Sequence, residues 1–214
     1  MSHLFAAVIV FLATHIIPAA PAVRRGLVAA LGVRGYVAAY SGLSLLVLAW
    51  VWVAYRAAPY IEVWPPEPWT RWVPLWLMPI ACLLVAIGMA TPNPFSVGPG
   101  GRGHDPRRAG VLRLTRHPVL WGIVLWAAVH MLANGDVASL ILFGLMLGLA
   151  GAGMLLLDIR HPAAAIDRSW RKALAEIGLW RIGLGIVLYG GLLALHGPVF
   201  GVSPLAIIDG WGLR

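Results

Sequence analysis

Cysteine is almost missing from this sequence. Cys82 stands alone, so no intramolecular disulfide can form, and its place in an apolar run reads as core filling. Charge is scarce too. Only 11% of the residues are charged and eight are acidic, and nothing resembles a carboxylate pair, a phosphate-binding glycine loop or a Ser/His/Asp nucleophile set. With 60% hydrophobic residues and a mean hydropathy of +0.84, the composition excludes an ordinary soluble globular domain. The bilayer is the natural solvent. Sixteen basic residues give a formal charge of +8, but they stand in short loops between apolar runs. The excess therefore reads as membrane topology and not as a nucleic-acid surface.

What is present in abundance is long apolar runs. A helix needs roughly 17 to 25 residues to cross the hydrocarbon core, and six runs qualify, near 3–21, 37–57, 73–91, 117–134, 137–158 and 180–197. This predicts an all-α, polytopic membrane helix bundle forming a single domain over 1–214. The first run is preceded by no basic residue and followed by Arg24 and Arg25, the charge order of a retained helix and not of a cleaved signal. Alternate loops carry Arg24, Arg25 and Arg34, then Arg102, Arg107, Arg108, Arg113 and Arg116, then Arg160, Arg168, Arg171, Lys172 and Arg181. The opposite side carries only Arg56, Arg71 and Arg214. The positive-inside rule then puts both termini outside the cytoplasm. Trp64, Trp69, Trp72 and Trp180 near the run ends fit an interfacial aromatic belt.

The connection 91–116 is punctuated by prolines and glycines and should be irregular, a cytoplasmic lid or linker. In 160–176, Ile166, Trp170 and Leu174 recur at helical spacing among charges, as in a short helix on the inner surface; a solvated loop accounts for the composition equally well.

Ionisable groups inside a bilayer are costly and mark functional positions by default. His15 lies about twelve residues into the first run, roughly 18 Å along it. His130 sits one turn before Asn134-Gly135-Asp136, nearer the outer face. His117 opens the fourth run in Thr115-Arg116-His117-Pro118, with proline suited to a first turn. Neutral imidazoles ligate transition metals and haem iron, and two on separate helices could clamp a planar cofactor; cross-helix hydrogen bonding explains them as well. His117 and His130 are 13 residues apart, ~20 Å along one helix, too far to share a metal. His15, at intermediate depth, could pair with either, so spacing does not choose. His3, His104, His161 and His196 fall at termini or loops and read as solvated. Tyr40 and Ser41 form a polar patch at the start of the second run, suited to lipid headgroups or a neighbouring helix. Asp158 and Arg160 close the fifth run as an interfacial ion pair or as solvated charges.

These residues carry a resemblance. His15-Ile-Ile-Pro18 with Arg24, Arg34-Gly-Tyr36 to Tyr40-Ser41, Pro92-Asn93-Pro94, Leu114-Thr-Arg-His-Pro-Val-Leu-Trp121, His130-Met-Leu-Ala-Asn-Gly-Asp136 and Trp180-Arg-Ile-Gly183 to His196-Gly-Pro198 resemble the NnrU family of bacterial membrane proteins. That family is associated with nitrite and nitric oxide metabolism in denitrifying bacteria, and is similar to the zeta-carotene isomerases, which are haem b proteins. The resemblance implies haem b held between the first and fourth helices, with His15 and His130 at the positions of the isomerase's haem ligands. It leaves Arg116, His117, Tyr40 and Ser41 to support those ligands or a substrate. A cysteine that the isomerases carry three residues before the second histidine is Ala127 here, which puts a ligand switch, and carry-over of the redox-dependent isomerisation, in doubt. The implied partners are the lipid bilayer and a redox partner or denitrification reductase. Two other classes stay open. One is a cofactor-free assembly or regulatory factor for a nitric oxide or nitrite reductase. The other is an S-adenosylmethionine-dependent membrane methyltransferase, since Arg116-His117-Pro118 followed by Trp121-Gly122 resembles part of that motif, although its later Glu and Arg-Ile-Pro elements are missing and tryptophan replaces the tyrosine.

Overall fold

In a computed structural model, residues 1–18, 20–161 and 167–206 are described; Ile166 of the expected surface helix and Arg214 of the charge count lie outside them. The described residues hold seven α-helices, α1 (Ser2–Ile16), α2 (Pro21–Arg56), α3 (Pro68–Met89), α4 (Pro118–Asn134), α5 (Val137–Arg160), α6 (Trp170–Ile177) and α7 (Leu179–Phe200), with two 3₁₀ turns at Pro106–Arg108 and Gly110–Arg113. The all-α class expected from the apolar runs is what is found. Four helices, α2, α3, α5 and α7, are long and apolar enough to cross a membrane. The 15-residue α1 and 17-residue α4 are apolar but shorter, ~22 and ~26 Å at 1.5 Å per residue against a ~30 Å hydrocarbon core. Large apolar side chains are widely exposed, Leu46 and Val187 each at 72%, which water would penalise and acyl chains would not. The protein is a helical membrane protein.

Helix ends follow the local sequence. α1 stops at Ile16, sooner than the run 3–21 suggests, because Ile17 still donates to the Ala13 carbonyl but Pro18 has no N–H with which to continue the ladder. α2 starts at Pro21, well before the expected 37, and takes in the arginine-bearing stretch that hydropathy leaves out. Its 36 residues are interrupted at Gly32, whose φ of 69° and ψ of 166° no side-chain-bearing residue readily adopts. Proline fills the first turns of α2, α3 and α4, where its missing N–H costs nothing. α4 ends on Gly135 in the left-handed conformation, and a Cβ there would lie 2.4 Å from the Trp64 carbonyl oxygen.

By its contacts the chain divides into two compact units, Met1–Val63 with Asp136–Leu142, and Trp64–Gly135 with Phe143–Arg214. In the first, α1 packs on α2, burying Leu4, Ala7 and Phe11 of α1 and Val47, Val51 and Ala54 of α2. The Asp136 carboxylate accepts from the Ser139 N–H at 3.0 Å, and the Ser139 hydroxyl meets that of Tyr55 at 2.9 Å. In the second, α3 packs against α4 and α7 through glycines that let backbones approach. A Cβ on Gly122 would come 2.6 Å from Val85 Cγ2 and 2.9 Å from the Ala81 carbonyl oxygen, and one on Gly185 would come 2.7 Å from Leu83.

The connection 91–116 is irregular as its prolines and glycines require, but it is packed and not free. Ala109, Val111 and Leu112 share a buried cluster with Ile87 and Ile177. α6 covers it, with Ala173 and Ile177 buried while Trp170 and Leu174 are exposed. The surface helix of the sequence reading therefore exists over Trp170–Ile177, its Trp170/Leu174 stripe turned outward. Arg113, 5% exposed, fastens it. Its Nε and Nη2 donate to the two Glu176 oxygens at 2.8 and 2.9 Å, and Nη1 and Nη2 donate to the Asp167 and Arg107 carbonyls. The Gly110 N–H adds a bond to Glu176. The Arg113 guanidinium holds the Glu176 carboxyl below its ordinary range and is itself pushed upward by Glu176. Asp167, bonded to Lys172 and close to Arg113, is likewise held low.

Candidate functional site

Three histidines hold the interest, and the structure sorts them by which ring nitrogen is in use. In the first unit, His15 Nδ1 stands 2.7 Å from the Phe11 carbonyl oxygen, one turn back on α1. A carbonyl only accepts, so Nδ1 carries the hydrogen and, in the neutral ring, Nε2 carries the lone pair. The ring stacks on Phe11 with centroids 4.1 Å apart and meets Tyr40 of α2 edge-on at 5.9 Å. Tyr40 in turn stacks on Tyr36, over which the Arg24 guanidinium lies at 5.6 Å. Tyr40, selected from the sequence, is thus brought to His15; Ser41 is exposed on α2.

His130 in the second unit repeats the arrangement. Its Nδ1 is 2.7 Å from the Trp126 carbonyl, again four residues back, and the Asn134 side chain donates to the His130 carbonyl at 2.7 Å. Phe143 and Trp126 flank the ring at 5.1 and 5.5 Å. The fourth neighbour is His196, whose ring centroid is 6.4 Å away with the planes 24° apart. His196 belongs to α7 and not to a terminus or loop, and it is partly exposed as the sequence suggests. Its Nδ1 donates to the Val202 carbonyl at 2.6 Å, so in the neutral ring its Nε2 carries the lone pair as well. Only the tertiary fold brings 130 and 196 together. No hydrogen bond to Nε2 of His15, His130 or His196 is found among the described residues.

His117 is different. It is 5% exposed, Nε2 lies 2.8 Å from Asp158 Oδ1 and Nδ1 lies 2.8 Å from the Ser96 hydroxyl. An ionised carboxylate cannot donate, so Nε2 carries the hydrogen and the neutral ring accepts from Ser96 at Nδ1. Arg116 joins through Nη2 to Asp158 and Nη1 to the His161 carbonyl. Asn93, 1% exposed, donates to the Arg116 carbonyl and accepts from the Phe95 N–H, both at 2.9 Å. The sequence shows no Ser/His/Asp grouping; the structure draws Ser96, His117 and Asp158 into one hydrogen-bonded line. Asp158, an ion pair or a solvated charge in the sequence reading, is its anchor. Pro92-Asn93-Pro94 is the one sequence signal beside Ser96, and Asn93 is the residue in it that reaches the site.

With three imidazoles placed, the family can be tested over the whole chain. A family model described as NnrU protein matches residues 3–204. The chain belongs to the NnrU family. The match runs through both units and includes every histidine discussed. Neither a curated protein nor a solved structure matches it.

His15 and His130 each carry, ring by ring, the chemistry that a haem ligand needs. A haem ligand is a neutral imidazole binding through one nitrogen while the other donates a hydrogen bond that fixes tautomer and ring orientation. His15 and His130 have this form; His117, with both nitrogens engaged, does not. No group of three or more His, Cys, Asp or Glu that could hold a metal ion occurs among the described residues; a haem, whose iron is already held by its porphyrin, would need only one or two imidazoles.

Proposed function

We propose that this NnrU-family membrane protein binds haem b through His15 and His130 and serves nitrite or nitric oxide metabolism in a bacterial inner membrane, both termini outside the cytoplasm. One observation carries the reading: each imidazole donates from Nδ1 to the carbonyl four residues back, leaving Nε2 as the metal-binding nitrogen. When bound, haem b supplies a one-electron centre whose potential follows its axial ligands and the polarity around it. This chain contributes the rest. Phe11 and Tyr40 hold the His15 ring, Trp126 and Phe143 hold the His130 ring, and the surrounding apolar side chains exclude water. Arg116 and His117 support the inner end of α4, and Ser41 remains available to a lipid headgroup or a partner such as a denitrification reductase.

A second ligand pairing has its own observation, since His196 lies beside His130 with the same free nitrogen. The test is an oxidised and dithionite-reduced absorption spectrum of the detergent-purified protein, with a pyridine haemochrome assay and four variants. Sharp reduced α and β bands are expected, lost in His15→Ala and His130→Ala and kept in His117→Ala and His196→Ala. Loss in His196→Ala with retention in His15→Ala would reassign the second ligand. A featureless spectrum after expression with haem precursor would sink the haem reading in favour of a cofactor-free assembly factor.

A further inference from the structure

At the end of α4 that carries His117, Trp121, Val124, Leu125 and Ala128 recur at spacings of three and four, one face of the helix. With Leu84 of α3 they wall an open cleft of about 600 Å³, large enough for a sizeable part of an organic ligand. Its polar edge is made by Arg116, His117 and Arg168.

The charges at this edge do not cancel. Asp158 accepts from both Arg116 and His117, so its negative charge is already answered. Arg168 has no acidic partner among the described residues. The amino end of α4 adds the positive end of its macrodipole, equivalent to about half a charge. His117 cannot greet a ligand with either nitrogen, because both are engaged; it holds Asp158, and through it Arg116, in place. What remains is an apolar slot ending at a cation, Arg168, that no acid among the described residues pairs, in a protein surrounded by lipid.

We propose that this cleft is a binding site for an anionic phospholipid, with the phosphodiester at Arg168 and Arg116 and an acyl chain along the Trp121–Ala128 face of α4. A lipid with a single negative charge, such as phosphatidylglycerol, matches the site. A zwitterionic lipid of the same chains brings a cation of its own toward Arg168 and loses that match. The haem reading is independent of this site, since neither His15 nor His130 lines it.

Trp121 is 47% exposed within the cleft, so it reports occupancy. The full-length protein in detergent is titrated with brominated phosphatidylglycerol or brominated phosphatidylcholine, and the Trp121 signal is taken as the difference between wild type and Trp121→Phe. Phosphatidylglycerol should half-saturate quenching at a concentration about fivefold lower, the worth of one basic residue near a lipid phosphate. Arg168→Gln should abolish that preference and Arg168→Lys keep it. Val124→Trp, which fills the slot, should weaken both lipids while the helical circular dichroism stays unchanged. Equal quenching by the two lipids in wild type, or a preference that survives Arg168→Gln, would overturn the proposal.

Discussion

The amino end of α4 and the His15 and His130 positions use the same side chain in opposite ways. At His117 both ring nitrogens are spent, on Ser96 and on Asp158, and Asp158 is itself held by Arg116. At His15 and His130 one nitrogen is spent on the helix that carries the ring, and the other is left over. A saturated imidazole fastens its neighbours, and a half-used one keeps a nitrogen open to a ligand. The difference lies in what surrounds each ring, since polar groups from distant segments converge on His117 while aromatic rings enclose the other two.

The largest effect that would break this comparison is on haem content. His130→Ala should lower haem per chain from about one to background by pyridine haemochrome, and His117→Ala should leave it unchanged; a shared loss would mean that His117 is no mere fastener. Next is Gly122→Leu, which forces a side chain into the contact with Ala81 and Val85. It should cost about 1–3 kcal/mol, read as a lower unfolding temperature in detergent. Smaller again, His117→Ala should destabilise by about 1 kcal/mol through the lost bonds to Ser96 and Asp158, with His117→Gln recovering part of it. The smallest effect at neutral pH concerns Glu176. Its folded pKa lies below the unfolded value of about 4.3 because Arg113 favours the carboxylate. Its contribution is therefore fully present above that value and lost as pH falls through the folded pKa. Hydrogen exchange over Trp170–Ile177 should be flat between about pH 7 and 5 after correction for intrinsic rates, and protection should drop below about pH 4.

Much of the fold was legible because apolar run length is a direct reading of what a bilayer demands. The runs at 73–91, 117–134, 137–158 and 180–197 correspond to α3, α4, α5 and α7 within a few residues at most ends. Hydropathy misplaced the start of α2 because Arg24, Arg25 and Arg34 lower the average without preventing a helix, and it gave no sign of the break at Gly32. Tyr40 was legible as a polar residue at a helix start, but its place against the His15 ring was not. Ser96, in a proline- and glycine-rich connection, carried no periodic signal at all.

The sequence by itself determined the membrane helices and which histidines lie among apolar residues. An imidazole inside a helix can reach the carbonyl one turn behind it, as His15 and His130 do, but His196, also inside a helix, reaches Val202 instead, so what each ring nitrogen meets is left to the fold. The tertiary structure decided the rest. Ser96, His117 and Asp158 are joined across 21 and 41 residues of chain, Arg113 finds Glu176 across 63, and His196 reaches His130 from another helix. Such pairings depend on which helix faces close against one another, and the shape complementarity that selects them is a property of packed side chains in three dimensions.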